Sequence, residues 1–354
     1  MSTSVLRLPD AETEASRVKA VTGRLLGRPI VRVQRLGQGR NSRVYQLVDG
    51  AGGRYAVKQY FRQAADPRDR LDTEFTTLQW LWARGVRSVP QPIVADPAAQ
   101  YGVYEYIQGE PIASSQVTEA DIEEAVAFLR SLQSLRDEAK DRSVGPASEA
   151  CFSLRDIVQN IEQRLQRFAA LPKTAAVSIF LDEQFRPALE HVASLAQADA
   201  ASALLPDEER VLSPSDFGFH NALRRNGQMV FLDFEYLGWD HPAKMIADVL
   251  LHPGMALSLE HKQHFLSRIL AAFKAPGRVA DQVELVYPLF GLKWCLILLN
   301  EFVPHDLQRR AFASGQTLTD ELARRQFTKA ETMLQQVMRD SVSFPYHVTH
   351  RGGR

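Results

Sequence analysis

The chain has 354 residues, 45% of them hydrophobic and 24% charged, an ordinary globular usage that excludes a disordered or fibrous protein and leaves room for two packed lobes. Lysine plus arginine equals aspartate plus glutamate at 42 each, so the general positive field of a nucleic-acid binder is missing and no nucleic-acid partner is expected. Cys151 and Cys295 lie far apart and form no C-x-x-C pair, which argues against a disulfide framework or a zinc site and for a reducing, cytoplasmic setting.

The first residues, M-S-T-S-V-L-R-L-P-D-A-E, have no basic start followed by an apolar run, so no signal peptide is expected. From residue 30 to 107, short apolar runs separated by glycine and proline point to a small sheet with one helix. Residues 30–36 alternate apolar and polar. Residues 44–48 and 55–61 follow, joined through Gly50, Gly52 and Gly53, the turn residues of a hairpin. Asp66 and Pro67 suit the N-cap and first turn of a helix whose apolar stripe is Leu71, Phe75, Leu78 and Trp82, with Gly85 to close it. Two further strands, 93–95 and 101–107, lead to Q-G-E-P, which reads as a hinge between a lobe of residues 1–108 and a lobe of residues 109–345, with a frayed tail at 346–354.

Beyond Gly109 the pattern turns helical. Thr118 and Asp121 are spaced as a capping box ahead of Ile122, Val126 and Leu129, and helical periodicity recurs through 154–171, 185–195, 259–273, 283–302 and 318–338. The most apolar stretch, 285–302, is interrupted by Pro288, Gly291, Lys293 and Asn300. That argues for a buried helix over a membrane span, and no membrane partner is expected.

The most informative segment is S-P-S-D-F-G-F-H-N-A-L-R-R-N-G-Q-M-V-F-L-D-F-E-Y, residues 213–236. Asn226-Gly227 between β-prone runs marks a two-residue type I′ hairpin. Counting outward pairs Arg225 with Gln228 and sets Asn221 opposite Leu232, so Asn221 and Asp233 emerge at one end. An amide oxygen and a carboxylate meeting there are hard oxygen ligands of the kind magnesium takes. With Asp216 upstream, the spacing matches a kinase site, in which one aspartate accepts the acceptor's hydroxyl proton while an asparagine and a later aspartate bind metal. His220 suits loop packing or a contact with substrate or phosphate.

The N-terminal region offers an independent check. In L-G-Q-G-R-N-S-R-V-Y, residues 36–45, Gly37 and Gly39 allow backbone N–H groups to approach phosphates, with Ser42 beside them. Lys58 ends an apolar strand, and Glu74 shares the core-facing stripe of the next helix. A carboxylate there demands a cation: Lys58 is the one available, with Arg62, Arg68 and Arg70 as alternatives.

These residues together resemble the aminoglycoside phosphotransferase and choline kinase family, over most of the chain. The sharpest matches are the loop with Asp216 and Asn221, L-D-F-E at Asp233, A-V-K at Lys58 and Y-E-Y-I-Q-G-E-P-I. The resemblance implies a bilobal, protein-kinase-like α+β fold with a β-rich N-terminal lobe and a mainly α-helical C-terminal lobe. It implies ATP and Mg2+ as cofactors, a small hydroxylated molecule such as a sugar, amino alcohol or aminoglycoside-like compound as acceptor, and adenine contacts from the backbone at Glu105 and Ile107. Asp216, Lys58 and Glu74 would be the catalytic set, and Asn221 and Asp233 the metal ligands. Asp248 would be a structural aspartate bracing the catalytic loop from the start of a helix, and Trp239 and Asp240 would shape a cleft floor. One position departs from the pattern: Pro214 stands where members usually carry histidine. It supports a second reading, a nucleotide-binding pseudokinase acting as sensor or scaffold. A protein kinase is disfavoured, because Asp233 is followed by E-Y-L-G-W-D-H-P, with no D-F-G, no A-P-E and no room for a long activation segment.

Overall fold

The structure is a computed structural model that describes residues 11–36, 42–62, 68–142, 144–172, 174–198, 205–303 and 320–346. Its described residues divide into two compact units, the first ending at Gly109 and the second beginning at Glu110.

The first unit is built on an antiparallel sheet of β1 (Ile30–Leu36), β2 (Ser42–Asp49), β3 (Arg54–Tyr60), β4 (Pro92–Asp96) and β5 (Tyr101–Glu105), in the spatial order β1-β2-β3-β5-β4. The β2–β3 hairpin closes as its glycines suggest. The Asp49 carboxylate accepts from the backbone of Ala51 at 2.9 Å and Gly53 at 2.7 Å, and Gly52 takes φ +84°. Helix α2 (Arg70–Ala83) buries Leu71, Leu78 and Leu81, and Gly85 follows it at φ +80°. Its N-cap differs from the sequence expectation. Asp69, not Asp66, accepts from Asp72 N, so the helix begins at Arg70; Asp66 and Pro67 lie outside the described residues.

The sequence reading also passed over α1 (Ala11–Leu26), a helix whose apolar stripe is thin. Val18 is fully buried with Ile30, Tyr45, Leu47, Val57, Tyr101 and Val103, with Val21 and Leu25 packed alongside. Its polar anchors are Glu14, paired with Arg43 at 2.9 Å and with the Tyr45 hydroxyl. The helix therefore depends on the sheet for its stability, and local periodicity reports it weakly.

The second unit opens with β6 (Glu110–Pro111) and α3 (Glu119–Ser134), whose Thr118–Asp121 capping box forms as expected. Helices α4 (Arg136–Lys140), α5 (Leu154–Gln166), α6 (Ala176–Phe180) and α7 (Arg186–Ala198) follow, then β7 (Val211–Ser213). The hairpin β8 (Ala222–Arg225) and β9 (Gln228–Phe231) comes next, then β10 (Gly238–Asp240), α8 (Pro242–Leu251), α9 (Leu259–Leu270), α10 (Pro276–Leu298) and α11 (Asp320–Val342). Helix α8 is not among the helices that periodicity gives: every one of its residues is buried, so no polar face marks its period. The run Pro276–Phe302 is long and apolar enough to cross a membrane, but 78% of its most apolar window is buried inside the fold, as the interrupted pattern around Pro288 suggested. Tyr346, the first residue of the expected tail, is buried against Tyr287.

Candidate active site

In the first unit, Lys58 on β3 and Glu74 on α2 form the anticipated ion pair at 2.6 Å, with side chains only 12% and 4% exposed. The Tyr60 hydroxyl donates to the same carboxylate oxygen at 2.6 Å and lies 2.7 Å from the Tyr104 hydroxyl. Burial first, and then the Glu74 charge, hold the Tyr60 phenol well above its ordinary range, so it remains a donor. Of the alternative cations, Arg70 donates to the Phe61 carbonyl at 3.3 Å. Ser42 is buried at the start of β2, opposite Tyr60. Gly37 and Gly39 lie outside the described residues. At the end of β5, the N–H of Glu105 donates to the Gln91 carbonyl at 2.8 Å. Ile107, just beyond, is buried.

In the second unit the hairpin forms in the register counted from sequence. Arg225 pairs with Gln228, and Asn226 and Gly227 take φ +52° and +79°. Leu232 N donates to the Asn221 carbonyl at 2.8 Å, so Asn221 and Asp233 stand at the same end. Helix α3 pins this hairpin. Arg224 of β8 lies 2.7 Å from Asp121, and Glu124 accepts from Met229 N at 2.8 Å. Burial would raise the Asp121 carboxyl, but Arg224 and Thr118 outweigh it and hold the group below its ordinary value.

The aromatic residues of D-F-G-F-H-N and L-D-F-E supply the base of the loop. Phe128 of α3 packs against Phe217, Phe231 and Phe234 with ring centroids 5.7, 4.7 and 5.8 Å away. At the departure Pro214, the Asp216 N–H donates to the proline carbonyl at 3.0 Å, Ser215 N donates to Ser213 Oγ at 3.1 Å, and Ser215 Oγ donates to the Ser148 carbonyl at 3.2 Å. The loop is thus tied without a histidine at position 214.

Asn221 is bonded to Asp216, and the backbone of Asp233 follows directly on the Leu232 bond to Asn221. Asn221 Nδ2 donates to the Asp216 carbonyl at 2.9 Å, which turns its Oδ1 the other way, the orientation a hard cation needs. Asp233 adopts φ +69° and Ser215 also φ +69°, left-handed conformations that cost energy in non-glycine residues and cluster at functional sites. The amide oxygen of Asn221 and the Asp233 carboxylate fit magnesium by donor type.

Sequence reasoning missed the surroundings of Asp216. His220 Nε2 lies 3.1 Å and His252 Nε2 3.2 Å from the same carboxylate oxygen, Oδ1. Burial would raise the Asp216 carboxyl, but these two imidazoles reverse that and hold it far below the carboxylate range. His252 follows α8 in a stretch, L-L-H-P-G, that reads only as a helix end.

Two expectations are corrected. Asp248 is not at the start of a helix and does not brace the catalytic loop directly. It lies late in α8, accepting from Trp294 Nε1 at 3.1 Å and Lys244 Nζ at 3.0 Å. Asp240 is fully buried and paired with Lys244 at 2.6 Å, so it serves the core of the unit and not a cleft floor. Burial would lower the Lys244 ammonium, and the two carboxylates more than reverse it. The i, i+4 spacing of Asp240, Lys244 and Asp248, from the end of β10 into α8, was open to reading from the sequence.

A family model described as the phosphotransferase enzyme family, APH, matches residues 32–281, well over half of the chain. The chain belongs to the phosphotransferase enzyme family. Among solved structures, this phosphotransferase is similar to choline kinase LicA from Streptococcus pneumoniae, with 16% identity, a TM-score of 0.61 and coverage of 92% of this chain and 100% of that one. The gentamicin complex of APH(2")-IIa gives 18% identity, a TM-score of 0.60 and coverage of 94% and 97%. Spectinomycin phosphotransferase APH(9)-Ia, with ADP and spectinomycin, gives 14% identity, a TM-score of 0.61 and coverage of 95% and 99%. At such identities the likeness speaks for the fold, the bilobal, protein-kinase-like α+β fold. No protein of curated function matches the chain. The enzyme is a small-molecule kinase by its family.

Proposed function

We propose that this phosphotransferase moves the γ-phosphoryl group of ATP, with magnesium, to a hydroxyl of a small molecule in the cytoplasm. The observation that carries the reading is the hairpin register that bonds Leu232 N to the Asn221 carbonyl, next to Asp233, with Asn221 bonded in turn to Asp216; this order of residues supports the roles that in-line phosphoryl transfer requires. Solved relatives in fold hold ADP with spectinomycin, or AMP, and others are choline kinases, which supports a nucleotide donor and a sugar, amino alcohol or aminoglycoside-like acceptor. Two buried free cysteines, Cys151 and Cys295, suit a reducing compartment.

In this mechanism Asp216 orients the acceptor hydroxyl and takes its proton as the new P–O bond forms and the bond to the leaving ADP breaks. Its depressed pKa suits a group that stays ionised and orients first, receiving the proton late in the transfer. Asn221 and Asp233 would hold magnesium, which neutralises phosphate charge when bound. Lys58, fixed by Glu74, would hold the phosphates, with Gly37, Gly39 and Ser42 supplying backbone and hydroxyl contacts and Glu105 and Ile107 the adenine contacts.

The test is a thermal-shift titration with ATP and magnesium, followed by ATP turnover across a panel of hydroxyl compounds and mass spectrometry for a gain of one phosphate. Asp216→Ala and Asp233→Ala should fold and lose transfer; unchanged transfer in either removes the assignment. Stabilisation by nucleotide with no turnover against any acceptor or water would favour the pseudokinase reading.

A further inference from the structure

The segment after α8 forms a second brace on the catalytic loop, and its geometry is specific. The His252 ring stacks on His220 with centroids 3.8 Å apart and planes within 5°. Trp294 meets it in a T-shaped contact with centroids 4.6 Å apart and planes at 82°, and is itself held by its indole hydrogen bond to Asp248. Gly254 N donates to His252 Nδ1 at 3.0 Å. An Nδ1 that accepts leaves the proton of the neutral ring on Nε2, so Nε2 donates to Asp216 Oδ1 and is not offered as a metal ligand. Three other contacts, one ring face, one T-shaped ring contact and one backbone amide, therefore fix where this donor points. Met255 extends the brace, its sulfur lying 3.1 Å from Phe219 N.

We propose that His252 is the positioning residue of the acceptor-orienting carboxylate. By holding Oδ1 of Asp216 from α8's end, with His220 stacked on it, it fixes the carboxylate plane and presents Oδ2, which neither imidazole engages, to the acceptor hydroxyl. The inference rests on the reading of Asp216 given above. It also explains how a chain with Pro214 keeps its loop in order: the support comes from a histidine after α8, rather than from one two residues before the aspartate.

Two substitutions separate the two hydrogen bonds of His252. His252→Asn keeps an acceptor near Nδ1 for Gly254 but is too short to reach Asp216. His252→Gln carries an amide N–H near the position of Nε2 and gives up the Gly254 bond. With MgATP as donor and water as the acceptor probe, together with any panel compound the unaltered enzyme phosphorylates, His252→Asn should melt close to the unaltered protein. Its kcat should fall on the order of 10–100-fold with KM for ATP unchanged. His252→Gln should recover most of that kcat despite a lower melting temperature. Equal kcat in His252→Asn and the unaltered enzyme, or a loss in both variants that follows melting temperature alone, overturns the inference and leaves the reading of Asp216 standing. Absence of turnover in the unaltered enzyme removes both. An independent readout is the His252 Nε2 proton in spectra of 15N-histidine-labelled protein: Asp216→Ala should shift it strongly, and an unmoved signal also overturns the inference.

Discussion

The ammonium of Lys58 and the carboxylate of Glu74 meet at 2.6 Å, one from a strand and one from a helix, in a site from which water is almost excluded. Removing one member leaves the other's charge buried, whereas removing both does not, so the pair should show strong coupling. Lys58→Met should cost about 3 kcal/mol of stability. The double variant Lys58→Met with Glu74→Gln should recover a large part of it while still failing to turn over ATP. Denaturant unfolding of the two singles and the double checks this, and additive losses would show that the pair is not coupled.

Asp233 carries a charge at φ +69°, a conformation glycine adopts freely and alanine resists. Asp233→Gly should therefore be more stable than Asp233→Ala by about 1 kcal/mol, although both lack the carboxylate. Both should lose magnesium-dependent turnover to the same extent. Thermal melting and a magnesium titration of activity give the two readouts. Equal melting temperatures would mean that the left-handed backbone carries no cost there.

The salt bridge between Arg224 and Asp121 ties the metal-side hairpin to the start of α3 across 2.7 Å. Arg224 is one-third exposed, so its loss should cost only about 1 kcal/mol, while the nearly buried Asp121 keeps its capping bonds to Thr118. The larger consequence should be positional. Arg224→Met should raise the magnesium concentration for half-maximal turnover several-fold while leaving the KM for ATP at saturating magnesium little changed. A magnesium titration unaltered by the substitution would show that the hairpin holds its end without this tie.

What the sequence made legible was whatever short-range chemistry dictates. Asn226-Gly227 set a register that fixed Asn221 opposite Leu232, Thr118 and Asp121 made their box, and the need of a core-facing Glu74 for a cation selected Lys58. What stayed hidden depends on contacts distant in the chain. Helix α1 shows its stripe only once the sheet is there to receive Val18. Helix α8 is buried on every side, and so has no period to read. His252 meets Asp216 across 36 positions, with no spacing rule to join them. The spacing of Asp240, Lys244 and Asp248 was local and open to reading, but the family resemblance drew Asp248 toward the catalytic loop instead.

His241 caps α8 through an unprotonated nitrogen: its Nδ1 accepts from Ala243 N at 3.0 Å. Burial chiefly, with the nearby Lys244 and Arg278 charges, lowers its pKa from 6.5 to about 4. Protonation would turn the acceptor into a donor facing an N–H at the positive end of the helix. The sign follows. Above the unfolded value the group is neutral in both states and its full contribution is present. As pH falls from about 6.5 toward about 4 the unfolded chain takes up a proton that the folded one refuses, and stability drains away. Between about pH 7.5 and pH 5 the loss assignable to His241 is at most about 2 kcal/mol. His241→Asn supplies a cap that does not titrate, so its unfolding free energy should fall less over this interval, by about that amount. Parallel pH profiles for the two proteins would mean that His241 already titrates in the folded state as it does in the unfolded chain.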